Sequence, residues 1–305
     1  MTVSKPRPNF FIVGAPKAGT TALYEYLREH PGVCMASYKE PHFFATDMIG
    51  YARAKTLAEY LGFFRHCSDN AIAIGEGSVW YLRSREALEN IREFAPEGRI
   101  IVMLRNPVDL VRSFHAQALY SYIEEEKDLE TAWRLQDVRA KGEHIPPGCQ
   151  AVQTLMYRDL ARLGEQVQRA LDIFPTEQVK LIFFEDFIAD TRREFESVLS
   201  FLGVEGNNRK SFPSVNEAKA HRIEWLGKFT MQAPSPIVKS VRAIRRTTGL
   251  DPMQMVRKLR KWNSAAKPKK KIGDEFRKEL IEYFAEDVKL LAKLTNRDLS
   301  HWLKT

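Results

Sequence analysis

Several kinds of segment are scarce in this chain or missing from it. Cysteine is scarce: Cys34, Cys67 and Cys149 are the whole complement of 305 residues. That odd number, without metal-ligand spacing, excludes a zinc motif and reads as three structural thiols in a reducing compartment. Long hydrophobic runs are absent. The longest, such as Ile100 to Leu104 and Leu181 to Phe184, have four or five residues, against the roughly 20 that cross a bilayer. Lys5 and Arg7 precede no apolar h-region, so a cleaved signal peptide is not expected. There is no internal repeat, and the only low-complexity segment is Lys267 to Lys271. What remains is 44% apolar and 28% charged, enough apolar surface for a full core and too much for a disordered chain.

The net charge of +8 is unevenly spread. Residues 1–218 hold 26 basic and 30 acidic side chains, and 219–305 hold 21 and 9, so −4 stands against +12. Between Lys239 and Lys271 twelve Lys and Arg face one acid, Asp251. Such a field attracts polyanions, anionic substrates or an anionic membrane face, and a solvated helical face has the same composition.

Short apolar runs alternate with helical periodicity, the pattern of βα units feeding a parallel sheet. The run 9–14 (NFFIVG) reads as a first buried strand. Residues 20–29 place Leu23, Tyr26 and Leu27 on one helical face that His30-Pro31-Gly32 ends. A second strand is expected at 71–75, a helix at 84–94, and a third strand at 99–105, whose unbroken apolar run suits burial on both faces. Asn106 then caps a helix to about Tyr122, with Pro107 at its first position and Asp109 in its first turn. Further on, the pattern predicts helices at 128–141 and 155–174, a strand at 179–184, and a helix at 193–202 closed by Gly203. The loop 142–149, with Pro146-Pro147-Gly148, is a candidate acceptor loop. After Pro213 the chain reads as helical and basic, broken at Pro234, Pro236, Pro252 and Pro268. A last amphipathic helix, 274–294, carries Phe276, Leu280, Phe284, Val288 and Leu291 on its apolar face. The expected fold is α/β, a P-loop-like three-layer arrangement with a central parallel sheet flanked by helices. It forms one domain with a core at 1–215, a basic insertion at 216–273 and a C-terminal helix at 274–305 packed on the core.

Gly14-Ala15-Pro16-Lys17-Ala18-Gly19-Thr20-Thr21 follows a strand and opens a helix. That junction holds a phosphate on backbone N–H groups at a helix N-terminus. It departs from the GxxxxGK[ST] loop of kinases and ATPases: Thr20 follows the second glycine, and the lysine stands two places before it. No strand ending in a magnesium-holding Asp stands out. The loop is suited to the 5′ end of an adenine nucleotide without the metal apparatus of an NTPase.

The segment 11–23 resembles the 5′-phosphosulfate loop of sulfotransferases that use 3′-phosphoadenosine 5′-phosphosulfate (PAPS). Arg99 to Ser113 resembles that family's 3′-phosphate motif, a strand ending in Arg105 with Ser113 eight residues later on the next helix. Lys39-Glu40-Pro41-His42-Phe43-Phe44 is similar to the acidic segment of the heparan-sulfate type and its bacterial relatives. Tyr283 to Trp302 resembles the C-terminal helix of bacterial members. The resemblance implies a PAPS-dependent sulfotransferase that needs no metal. In it Lys17 stabilises the leaving oxygen, and Ala18, Gly19, Thr20 and Thr21 hold the phosphosulfate. Glu40 is the base, with His42 orienting it or sharing the task, and Arg105 and Ser113 hold the 3′-phosphate. Lys219 and Arg222 correspond only weakly to a loop that closes over the nucleotide. Heparan-type enzymes commonly carry a lysine where Gly77 stands, so a second catalytic lysine lacks a counterpart. The disulfide of some Golgi relatives has none either, in keeping with a cytoplasmic enzyme.

The chemistry fits these residue types. Negative charge builds on the bridging oxygen during in-line sulfuryl transfer, which a lysine can stabilise, and a carboxylate can take the proton of the attacking hydroxyl or amine. The 3′-phosphate needs its own cation and hydroxyl donor. The acceptor is a small molecule, a glycan or a lipid. An anionic one is favoured by the basic tail, no specific nucleic acid is implied, and peripheral contact with a membrane is open. The alternatives are a P-loop-like small-molecule kinase, and a polyanion-binding protein with an inactive sulfotransferase core whose working surface is Lys239 to Lys271.

Overall fold

The computed structural model describes residues 6–48, 50–68, 71–213, 219–231, 256, 258–259, 262–266 and 271–304. The chain forms two compact units, one of Met1–Arg112, Met156–Val215 and Ile272–Thr305, the other of Ser113–Leu155 and Asn216–Lys271. Most of the basic stretch 239–271 lies outside the described residues, as do Val215, Asn216 and the breaks at Pro234, Pro236, Pro252 and Pro268.

The first unit is built on five strands: β1 (Phe10–Gly14), β2 (Val33–Met35), β3 (Ala73–Gly77), β4 (Arg99–Leu104) and β5 (Val179–Phe183). They pair in the order β2-β3-β1-β4-β5, all in parallel. All five residues of β1 are buried, as the unbroken apolar run requires of a central parallel strand. The chain leaves β1 for one side of the sheet and returns through β4 to the other. The loops after β1, β3 and β4 therefore meet at the carboxyl edge, where open parallel sheets hold ligands.

Helix α1 (Thr20–Arg28) follows β1, α2 (Leu57–Leu61) lies between β2 and β3, α3 (Ala87–Phe94) precedes β4, and α4 (Pro107–Tyr120) follows it. Asn106 caps α4 as its sequence predicts, its Oδ1 accepting from the N–H of Val108 at 2.9 Å and Asp109 at 3.3 Å. Tyr122, at φ 57°, lies past the helix end.

The structure departs from the sequence-based expectations in identifiable ways. The strand expected at 71–75 begins two residues later, and β2 was not expected, because three residues at a sheet edge are too few to show a period. The helix expected at 128–141 is two short ones, α5 (Leu129–Arg134) and α6 (Gln136–Arg139), in the second unit. The helix expected at 155–174 is a 3₁₀ turn at Val152–Leu155, then α7 (Tyr157–Leu160) and α8 (Leu163–Ile173). The reason lies in another helix: the Asp287 carboxylate accepts from the N–H of Gly164 at 2.8 Å and Glu165 at 2.9 Å, starting α8 afresh. A Cβ on Gly164 would lie 2.3 Å from the Asp287 carbonyl oxygen, so only glycine permits this approach.

After β5 come α9 (Phe184–Ala189), which the sequence did not suggest, and α10 (Thr191–Leu202), capped by Asp190 and closed by Gly203 at φ 72°. In the second unit β6 (Lys219–His221) is followed by α11 (Glu224–Met231) and pairs antiparallel with β7 (Ser264–Ala266). The long α12 (Asp274–Thr295) belongs to the first unit and buries Phe276, Leu280, Phe284, Val288 and Leu291. The second unit buries the ion pair of Glu124 and Arg139, whose two guanidinium nitrogens donate to the two carboxylate oxygens at 2.6 and 2.7 Å.

The reading of three structural thiols is corrected: Cys34 and Cys67 are disulfide-bonded, and Cys149 is the free cysteine. The partners are 33 positions apart, and their pairing follows from the fold, which sets β2 beside the turn after α2. The inference of a reducing compartment from an odd cysteine count loses its footing, since disulfides persist in oxidising ones. Among the described residues no helix is long and apolar enough to cross a membrane.

Candidate functional site

The loop between β1 and α1 makes the first part of the site. Its start is tied to the sheet by the Ala15 N–H, which donates to the Met103 carbonyl at 2.7 Å. Lys17 takes φ 63° and Gly19 φ 93°, so the chain doubles back into α1. At Gly19 a Cβ would fall 3.1 Å from Met103 Cε and 3.2 Å from Phe184 Cδ2, so glycine meets both the dihedral and the space. No side chain caps this helix and no acid stands in its first turn. Helix geometry leaves its first N–H groups without intrahelical partners, and the dipole favours an anion there. Thr20 is buried and Thr21 half-buried beside them. This cradle fits a phosphate-type group.

Arg105, at the end of β4, reaches the same loop. Its Nη1 donates to the Lys17 carbonyl at 2.7 Å, and its guanidinium lies 4.5 Å from the Phe184 ring centroid. Burial lowers its pKa, with Asp109 opposing, and an arginine so far above neutrality stays charged.

The second part is the turn after β2. One oxygen of Glu40 lies 2.7 Å from Lys39 Nζ, and the other lies 2.9 Å from His42 Nε2. Burial pushes the Glu40 carboxyl up, but the Lys39 ammonium and the His42 contact outweigh it and hold the carboxyl at about 2. The His42 ring is 4% exposed and meets Tyr51 and Tyr81 edge to face. Its Nδ1 has no hydrogen-bond partner. A neutral ring with the proton on Nε2 satisfies Glu40 and leaves Nδ1 only a lone pair to bury, whereas a doubly protonated ring would strand an N–H. In that arrangement the His42 Nε2–H donates to the Glu40 carboxylate.

Lys39, which no sequence argument singled out, is the missed member of this set. Its signal was a lysine next to the candidate base. Its Cε lies 3.8 Å from where a Cβ on Gly77 would stand, so the Lys39 chain runs past the bare backbone at 77. Ser113 lies on α4 and is buried, in the second unit. Lys219 stands on β6, and the exposed Arg222 donates its backbone N–H to the Asn263 carbonyl at 2.8 Å. Both belong to the second unit. The loop 142–149 also belongs to that unit and contains His144 at φ 51°. The one metal-ligand cluster among the described residues, Cys34, His66 and Cys67, has both sulfurs in the disulfide.

Residues 7–291 match the family model described as a sulfotransferase domain. Two human relatives, heparan sulfate glucosamine 3-O-sulfotransferases 3B1 and 3A1, are each 30% identical over 235 residues, 74% of this chain. Those residues are 56% and 54% of the relatives, so the chain spans about half the length of the curated proteins it matches. The crystal structure of a sulfotransferase from Alicyclobacillus acidocaldarius is similar with a TM-score of 0.71 at 26% identity, over 98% of this chain and 100% of that one.

Proposed function

Because the chain belongs to the sulfotransferase family, whose reaction is sulfuryl transfer from PAPS, we propose that it moves that group to an acceptor hydroxyl or amine and releases 3′-phosphoadenosine 5′-phosphate (PAP). The observation that carries this reading is the uncapped N-terminus of α1, led by Gly19 and braced through Lys17 by Arg105. Backbone N–H groups from Ala18 to Thr21, with the two threonine hydroxyls, hold the 5′-phosphosulfate. On the resemblance, Arg105 and Ser113, on one strand–helix segment, hold the 3′-phosphate.

In the transfer, the acceptor oxygen bonds to sulfur as the bond from sulfur to the bridging phosphate oxygen breaks. Lys17 stabilises the negative charge left on that oxygen. Glu40, oriented by the His42 Nε2–H, takes the acceptor's proton. A carboxyl held at about 2 is a weak base, so Lys39 has a second part to play. Drawn toward the incoming phosphosulfate, its ammonium releases Glu40 and restores its basicity. The names of the relatives support a glycan hydroxyl as acceptor.

Calorimetric titration with PAP, beside ATP with and without magnesium, tests the donor site. Tight metal-independent binding of PAP, weak binding of ATP, and a loss of PAP affinity in Arg105→Ala of roughly ten- to a hundredfold, as for a charged hydrogen bond, are the expected results. Magnesium-dependent ATP binding without PAP binding would replace this reading with a kinase.

A further inference from the structure

Glu76, on β3, is an acid without solvent exposure. Its Oε1 accepts from the hydroxyls of Tyr60 and Tyr81, each at 2.8 Å, and its Oε2 accepts from Ser78 Oγ at 2.6 Å. Those partners are fully buried as well. Burial pushes the Glu76 carboxyl up to about 7 against the pull of the three hydroxyls. Its contacts are hydroxyls rather than a cation, and an apolar side chain of similar volume would pack there at less cost. A group this costly calls for a use.

The network runs on into the turn that bears Glu40. Ser78 Oγ accepts the backbone N–H of His42 at 3.0 Å, and the Tyr81 hydroxyl accepts that of Phe44 at 3.3 Å. A hydroxyl has one proton. In its ionised form Glu76 only accepts, so it receives the hydrogen bonds of both hydroxyls and leaves each oxygen presenting lone pairs to the loop N–H groups. A glutamine in its place offers one acceptor oxygen and an NH₂, so at least one hydroxyl must reorient. His42 needs this support, since it takes φ 51°, a strained value for a residue with a Cβ.

We propose that Glu76 is a positioning residue for the transfer reaction. Through Ser78 and Tyr81 its carboxylate fixes the backbone of residues 42–44, and with it the His42 ring that orients Glu40. The proposal rests on the reading of Glu40 as the base.

The test measures kcat, KM for PAPS and PAP affinity in Ser78→Ala, Tyr81→Phe and Glu76→Gln, beside Glu40→Gln and the core change Leu199→Ala as a stability control. Each single network variant should lose about ten- to a hundredfold in kcat, the scale of a misplaced catalytic group, with PAP affinity within twofold of wild type. Leu199→Ala should melt earlier yet keep its kcat. Should Glu76→Gln fail to fold, Ser78→Ala and Tyr81→Phe decide. Full kcat in those two, while Glu40→Gln is inactive, would overturn the positioning role and leave the base in place. Full kcat in Glu40→Gln would instead remove the base and the proposal with it. Equal losses of kcat and PAP affinity would assign the network to the donor site and refute the proposal.

Discussion

With Lys39 Nζ 2.7 Å from one oxygen of Glu40 and His42 Nε2 2.9 Å from the other, the carboxyl stays ionised until the pH falls through about 2. A depressed folded-state pKa contributes stability that is present above the ordinary carboxylate pKa and lost as pH falls through the depressed one. Lys39→Met removes the ammonium whose charge is the largest single influence opposing burial at this carboxyl. The acid limb of kcat/KM should then move upward, toward the ordinary carboxylate range. Parallel pH profiles of wild type and Lys39→Met check this, and coincident acid limbs would refute the coupling. Part of the candidate site has a pattern in the sequence. Lys17, Gly19, Glu40 and Arg105 stand in a pattern, and the structure sets Arg105 against the carbonyl of Lys17 and His42 against Glu40. Glu76 and Lys39 were not legible. One depends on hydroxyls brought from positions 60, 78 and 81, and the other on a path over the bare Gly77 backbone, neither of which has a local signature.

The segment between β2 and β3 carries the proposed base on little regular structure. α2 and a 3₁₀ turn at Gly62–Phe64 are its helices, and the disulfide joins its two ends. Between Cys34 and Cys67 lie Lys39, Glu40 and His42, so the bond restricts the unfolded chain across a part of the candidate site that lies outside the strands. In the chain-entropy account, closing a loop of 33 positions stabilises the fold by about 3 to 4 kcal/mol. Replacing both cysteines by serine should lower the unfolding free energy by about that amount, as measured by denaturant titration without reductant. Thiol titration of the native protein should find one reactive group per chain, Cys149. Three would mean that the bond does not form. Elements were legible where the period was long. β1, β4, α10 and α12 stand within a residue or two of their expected bounds. The interval 155–174 reads as one helix because its amphipathic period survives the breaks, and the cap that restarts it belongs to Asp287, more than a hundred residues away.

At the scale of the whole molecule the charge is divided by sequence, −4 over 1–218 and +12 over 219–305. The sheet, the phosphate cradle and the Glu40 turn belong to the first span, so the positive field comes from chain that supplies little of the proposed chemistry. Long-range attraction raises the encounter rate and local concentration of an anion and is screened beyond about 10 Å at 0.1 M salt. It leaves the breaking bond alone. With PAPS saturating, added salt should therefore raise KM for a sulfated or carboxylated glycan several-fold between about 50 and 500 mM and leave kcat unchanged. A neutral sugar acceptor should show no such trend. The same titration separates capture from catalysis. In Lys17→Ala, salt-sensitive binding of an anionic glycan should persist while turnover falls by about 10²-fold or more. A KM for the anionic acceptor that stays flat with salt would remove the basic span from acceptor capture. Loss of glycan binding together with turnover in Lys17→Ala would place both functions in the cradle between β1 and α1.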